Sequence, residues 1–377
     1  MIYLDNAATT IDKDESVTRA ISNSLMSKKY GNPSRGSYEI STNSLKKLME
    51  IRMTIANFFG TNNPLKVVLT PNITFALNFI IKSILKENDH VITSITEHNS
   101  VLRPLYEFEN RGGEISFIDI DDEFNLKLTE IEKYIKENTK AIIITAASNV
   151  SGNVTDLEKV YEICKKHSLK LIIDGAQIAG TVEFSLKNFD NTIFAFTGHK
   201  GLHGPGGTGG FIVKGDFDFN QVFAGGSGFD SFSKTQPQKL PELFEPGTSN
   251  IHSFIGLEAA IKNIEKNKPF DRLDYLTRLL YKELKKNKNL EFYTFLKNKN
   301  SPIVSFNIEG IDANTVGQIL DEEYGVCSRS GAHCAPLFHK RVNTEKRGIL
   351  RLSLSHYNTE EEIYKVAKAV NEIANSR

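Results

Sequence analysis

Short apolar runs alternate with stretches of helical periodicity over the first two thirds of the chain. Val67-Val-Leu, Val91-Ile-Thr, Ile115-Ser-Phe-Ile, Ala141-Ile-Ile-Ile-Thr and Leu171-Ile-Ile read as strands. Several are apolar at every position, whereas a strand with one wet face would alternate. Such runs predict a parallel sheet covered on both faces. Between the last two, Leu157, Val160, Tyr161 and Cys164 recur at helical spacing and form one stripe, which accounts for Cys164 as a small core residue. Alternating strand and helix predicts an α/β domain with crossover connections and a ligand site at the carboxyl ends of its strands. Asn149 and Asp174 fall at such ends. From about residue 215 to 250 the pattern lapses into Gly, Ser, Phe, Gln and Pro, and a long irregular segment in a compact chain is usually functional or mobile. Helical spacing resumes from Ser253 to Lys266. A smaller second domain follows, with the partly alternating strand Ile303-Val-Ser-Phe-Asn-Ile and a terminal helix from Glu360.

A length of 377 residues fits one large and one smaller domain. Lys+Arg and Asp+Glu balance at 46 each, so no charge footprint for nucleic acid or a membrane surface is expected. Small molecules and a second copy of the chain are the expected partners. Three cysteines, Cys164, Cys327 and Cys334, are too few and too odd in number for a disulfide framework. The start, Met1-Ile-Tyr-Leu-Asp-Asn, lacks a basic region followed by an apolar core. No run approaches the roughly 20 apolar residues that span a bilayer. The expectation is a cytoplasmic protein.

The candidate chemistry centres on Lys200. The apolar run Thr192-Ile-Phe-Ala-Phe ends in Thr197-Gly-His199-Lys200, and glycines follow. A lysine delivered there can hold a carbonyl cofactor as a Schiff base. Upstream, Leu171-Ile-Ile-Asp174 ends a buried strand in a carboxylate, which can pair with a protonated pyridine nitrogen. Together they form a minimal pyridoxal 5'-phosphate (PLP) site, although Asp174 alone would read as a helix cap. Asn149 and Gln177 are neutral donors suited to a ring hydroxyl, or simply turn residues. His98, in Thr96-Glu-His98-Asn, can stack on a ring or carry a proton. Asn72, Ile73 and Thr74 lie between a strand and a helix expected to begin near Phe75, where backbone N–H groups can take a phosphate. Thr197 and His199 can complete that cup. The run Gly204-Pro-Gly206-Gly-Thr-Gly209 matches a dinucleotide fingerprint in letters only. Pro205 intervenes and the strand-like Phe211-Ile-Val follows, so it reads as a permissive turn.

Near the carboxyl end stands Cys327-Ser-Arg329-Ser-Gly-Ala-His333-Cys334-Ala-Pro. Cys327 reads as a strand residue. Cys334 follows a turn and is expected on a loop, where a thiolate can act as nucleophile. His333, Cys334 and His339 lack a second ligand pair at zinc-like spacing, so no metal is expected. Arg351, on a probable strand, suits a bidentate grip on an α-carboxylate, with a salt bridge as the plain alternative.

In this order, Tyr3-Leu-Asp-Asn-Ala-Ala-Thr-Thr10, Glu97-His98, Ser148-Asn149, Asp174-Gly-Ala-Gln177, Thr197-Gly-His-Lys200, Phe244-Glu-Pro-Gly-Thr248, Arg329-Ser-Gly-Ala-His-Cys334 and Arg351 resemble the class V aminotransferase-fold enzymes. Within them the match is to the cysteine desulfurase and selenocysteine lyase group, in a cysteine-desulfurase-related subgroup. The resemblance implies a fold-type I PLP-dependent transferase: a large domain with a mainly parallel sheet flanked by helices (residues 14–252) and a smaller α+β domain (1–13 and 253–377) carrying Cys334 and Arg351. It implies a homodimer in which Thr248 reaches the neighbouring cofactor, and L-cysteine as the substrate, gripped by Arg351 with Arg329 and Asn149. Lys200, Cys334 and His98 are then the catalytic residues. Sulfur leaves cysteine as a persulfide on Cys334 and passes to an acceptor, which can be a protein. Selenocysteine lyase or another class V aminotransferase is the alternative. Two positions depart from the group: Asn72-Ile73-Thr74 stands where Gly-Thr-Thr is common, and Tyr38, in Arg35-Gly-Ser-Tyr38, stands where histidine is frequent.

Overall fold

The computed structural model describes residues 1–33, 36–297 and 299–376; Arg35 of the Tyr38 motif lies outside them. Its strands are β1 (Ile2–Tyr3), β2 (Val67–Thr70), β3 (His90–Ser94), β4 (Glu114–Ile118), β5 (Thr139–Thr145), β6 (Lys170–Asp174), β7 (Thr192–Thr197), β8 (Gly209–Lys214), β9 (Leu290–Phe292), β10 (Ile303–Ile308), β11 (Val326–Cys327), β12 (Arg329–Gly331) and β13 (Ile349–Ser353). The α-helices are α1 (Glu15–Met26), α2 (Glu39–Phe58), α3 (Ile73–Ile84), α4 (Asn99–Glu109), α5 (Leu157–Lys166), α6 (Ile251–Asn267), α7 (Phe270–Leu284), α8 (Ala313–Tyr324), α9 (Pro336–Arg341) and α10 (Glu360–Asn375).

The large sheet runs in the order β2-β8-β7-β6-β5-β3-β4. Every neighbouring pair is parallel except those made by β8, which is antiparallel to β2 and β7. The uninterrupted apolar runs are explained by where alternate residues go. On β5, Ile142 and Ile144 enter one core while Ala141 and Ile143 enter the other. On β6, Leu171 and Ile173 face the first and Ile172 the second. Each face is covered, so each face must be apolar.

Helix α6 belongs to this layer. Ile251, Phe254, Leu257, Ile261 and Ile264 enter the core shared with α2 and the sheet, and the expected division between residues 252 and 253 falls inside the helix. A separate core joins α7, α8 and α10 to the antiparallel sheet β12-β13-β10-β9. The amino terminus reaches that core through Leu4, and β1 pairs with β11. In the irregular stretch after β8, only a short 3-10 turn at Glu242–Phe244 is regular. No helix among the described residues is long and apolar enough to cross a membrane.

Candidate active site

The carboxyl ends of β3, β5, β6 and β7 lie side by side, and the segments leaving them wall a cavity of about 450 Å³. Asp174 is the last residue of β6, and its neighbour in register on β7 is Ala195. Three residues past Thr197, the end of β7, Lys200 faces the same cavity. Burial pushes the Lys200 amine down to about 8; the Asp174 charge opposes that shift and the Arg351 charge adds to it. Asp174 is buried, and burial raises its pKa against the Ala176 N–H, which donates to Oδ1 at 2.9 Å, and against the Lys200 charge. A carboxylate so placed has one backbone donor and a lysine for company, and a protonated ring nitrogen supplies the cation it lacks.

The opposite wall suits an anion. Asn72 caps α3, its Oδ1 accepting from the Phe75 N–H at 3.2 Å, so the helix begins at Ile73 and not near Phe75. Asn72, Ile73 and Thr74 line the cavity at the first turn of this 12-residue helix, where N–H groups have no partner within the helix. Thr197 Oγ1 is buried without a hydrogen-bond partner, as is Asn149 Oδ1, and both residues line the cavity. His199 also lines it; burial and Lys200 push its pKa down to about 4, so it is a neutral donor or acceptor. Gly209 starts β8 where an added Cβ would meet the Asn72 backbone at 2.8 Å. The glycine run thus lets β8 pass directly behind the anion-facing turn. Polar atoms awaiting partners, an anion-facing helix terminus, a buried carboxylate and a lysine fit a flat, phosphate-bearing pyridine aldehyde.

His98 caps α4, with Nδ1 accepting from the Ser100 N–H at 3.0 Å. Burial, followed by the Lys200 charge, pushes its pKa down to about 4. At neutral pH any proton it offers is therefore that of a neutral imidazole at Nε2. Gln177 completes the lining, with Nε2 donating to the Ala7 carbonyl at 3.2 Å.

Cys334, Arg329, Arg351 and Thr248 are not on that lining. Cys334 is exposed, on the connection between β12 and α9. His333 and Cys334 both have left-handed backbone, φ 48° and 58°, which non-glycine residues adopt only when surroundings enforce it. The enforcing bonds are visible. Asn149 Nδ2 donates to the His333 carbonyl at 2.6 Å, the Asn99 N–H to the Cys334 carbonyl at 2.8 Å, and His333 Nε2 contacts the Ile349 carbonyl at 2.8 Å. Asn149 and the start of α4 thus join the cavity wall to the cysteine segment. Arg351 lies on β13 opposite Arg329 of β12. Its guanidinium is fully buried, donating to the Asn149 carbonyl and to Asp5 Oδ1, each at 2.8 Å. The expected carboxylate clamp is engaged by a carboxylate of the chain itself. Thr248 is exposed in a separate, largely apolar groove of about 340 Å³ beside Phe229, Met49 and Leu45. Tyr38 caps α2 and is exposed.

Sequence reasoning passed over Ser100, whose Oγ lies 2.8 Å from that of Thr74. It quoted Asp5 and Glu97 within motifs without giving either a task. A local signal did exist: Glu97 stands three residues past the end of β3 and two before the start of α4.

Residues 2–366 match the family model for class-V aminotransferases. A probable cysteine desulfurase of Methanothermobacter thermautotrophicus is 31% identical, covering 99% of this chain and 94% of its own length. One of Pyrococcus abyssi is 31% identical, over 100% and 95%. The structure of an apo cysteine desulfurase from Thermococcus onnurineus superposes with a TM-score of 0.92 at 30% identity, covering 100% of this chain and 95% of that one. The chain belongs to the class-V aminotransferase family of PLP enzymes. Its relatives place it with the cysteine desulfurases of that family.

Proposed function

We propose that this protein is a PLP-dependent cysteine desulfurase, converting L-cysteine to L-alanine and placing the sulfur on Cys334 as a persulfide. The observation that carries the reading is the meeting of Lys200 and Asp174 in one cavity whose wall, through Asn149 and Asn99, also holds the backbone around an exposed cysteine. PLP held there supplies an aldehyde for amine groups and a ring that draws electrons from the substrate α-carbon. Asp174 would face the ring nitrogen, and the α3 terminus with Thr197 and His199 the phosphate. His98 would lie against the ring, and Asn149 and Gln177 beside its hydroxyl.

Lys200 anchors the cofactor when no substrate is bound. Once free, its amine, with a pKa brought near the working pH, takes the proton from the substrate α-carbon. Arg351, with Arg329 and Asn149 nearby, orients the substrate carboxylate. The Cys334 thiolate then attacks the γ-sulfur of cysteine. An S–S bond forms, the Cβ–S bond breaks with its electron pair left on carbon, and protonation of that carbon gives the methyl group of alanine. A thiol or an acceptor protein collects the sulfur at the exposed Cys334. Neutral His98 can donate from Nε2 and regain its proton from the departing groups.

The exposed Leu45, Met49, Phe223 and Phe229 around Thr248 support a homodimer that covers this apolar groove and brings Thr248 to the neighbouring phosphate site. A free, exposed thiol that must stay reduced supports a cytoplasmic setting. Incubation with PLP, L-cysteine and excess dithiothreitol, whose thiols are oxidised as they reduce the persulfide to sulfide, tests the reading, and equal yields of alanine and sulfide are expected. Alanine formed at the wild-type rate by the Cys334→Ala variant would sink the persulfide step.

A further inference from the structure

The guanidinium of Arg351 is enclosed: the side chain is 2% exposed, and Nε has no hydrogen-bond partner. Its one carboxylate partner among the described residues is Asp5, whose side chain is 21% exposed. Asp5 is therefore the solvent-facing half of the pair. Its backbone cannot drift far. Asp5 bridges to Ser353, the Asn6 N–H donates to the Ser353 carbonyl at 3.3 Å, and the Ser353 N–H donates to the Leu4 carbonyl at 2.7 Å. The Asp5 backbone thus stays beside Arg351, while its partly exposed carboxylate can turn towards water.

This arrangement has an electrostatic consequence. A second carboxylate approaching Arg351 meets a guanidinium whose charge Asp5 already offsets, with Arg329 on the paired strand as the remaining cation, and must displace or share with Asp5. Its gain is smaller than at an uncompensated buried cation. A free carboxylate has nothing else to offer and is rejected. An amino acid held at its amine as well brings its carboxylate at high effective concentration, so it competes with Asp5 successfully.

We infer that Asp5 is a specificity-determining positioning residue: it occupies Arg351 while the site is empty and yields to the carboxylate of a substrate that is also attached through its amine. The inference rests on the proposed function only for the part Arg351 plays. It assigns to the amino-terminal segment a role in excluding simple anions from the site.

Propionate, a carboxylate without an amine, is the probe, its binding to the PLP-supplied protein followed by ligand-observed NMR. Asp5→Asn is expected to tighten propionate binding by about tenfold or more. Asp5→Ala should do the same, because it too removes the charge, whereas Asp5→Glu, which keeps it, should give no gain. Arg351→Ala in the Asp5→Asn background should abolish the gain. Retained PLP and a cooperative melt show that each variant is folded. Unchanged or weaker propionate binding in both neutral variants overturns the inference, as does a gain that survives loss of Arg351. Propionate binding needs no turnover, so its outcome stands apart from whether the wild-type protein makes alanine and sulfide from cysteine.

Discussion

Two regions meet at the cavity, and they are built in opposite ways. The Lys200–Asp174 side comes from the ends of adjacent strands whose apolar runs are buried on both faces. Its groups are tuned by burial: the amine of Lys200 goes down, the carboxyl of Asp174 up and the imidazole of His98 down. The Cys334–Arg351 side comes from the small antiparallel sheet and is placed by hydrogen bonds that cross to the large layer, from Asn149 and Asn99. Burial sets reactivity on one side, and crossing bonds set position on the other. The two should therefore fail differently when mutated.

Loss of Lys200 is the largest expected effect. Lys200→Ala removes both the proposed anchor and the proposed base, and kcat should fall by at least about 10⁴-fold. Asp174→Asn removes the charge that would face the ring nitrogen, and a loss of about 10²–10⁴-fold is expected with the fold intact. Cys334→Ala should abolish sulfide release while PLP content stays at the wild-type level, measured by absorbance after alkaline release. A fall in PLP content in that variant would break the distinction between the two sides.

The first region was legible because its signals are local. Leu171-Ile-Ile-Asp174 and Thr192-Ile-Phe-Ala-Phe-Thr197 each carry a strand and its functional end within a few residues. The second depends on partners far apart in the chain. Arg351 reads from sequence as an arginine on a strand, but nothing local announces Asp5, 346 residues away. A loop was expected at Cys334, whereas the bonds that force two successive left-handed residues come from Asn149 and α4. The helix after β2 starts earlier than its spacing suggested because Asn72 caps it. The helical period of α6 was plain, but not which core would take it, since an apolar stripe does not name its partner.

A smaller effect sharpens the idea that burial tunes the first region. The Lys200 amine should become reactive near pH 8 and not near the 10.5 of an ordinary lysine. The rate at which PLP-free protein captures PLP should thus be half-maximal near pH 8. A profile still rising as an exposed lysine's does would mean that the amine is solvated. The Cys334→Ala variant should show the same profile, because Cys334 is exposed and lies off the cavity lining.

The smallest expected effect concerns Glu97, which is wholly buried below the same strand ends. Its Oε1 accepts from the Ser94 hydroxyl at 2.5 Å and the Thr145 N–H at 2.9 Å, and its Oε2 has no partner. Burial raises its pKa to about 8; those two bonds oppose the shift and the Asp174 charge adds to it. Kept neutral, Glu97 leaves Asp174 as the single negative charge of the two buried acids. The unfolded chain releases this proton near pH 4.5, whereas the folded chain holds it to about 8. Between those values the folded state binds more protons, so its stability falls as pH rises and then levels off. Glutamine cannot ionise and keeps an acceptor for Ser94 and Thr145. Glu97→Gln should therefore match wild type below pH 4.5 and exceed it at higher pH, by about 3 kcal/mol near neutrality and somewhat more above pH 8. Denaturant unfolding of the two PLP-free proteins across this range measures the difference. Parallel curves would mean that Glu97 is ionised in the folded protein, so that two negative charges lie under the cavity and Lys200 is held charged to higher pH.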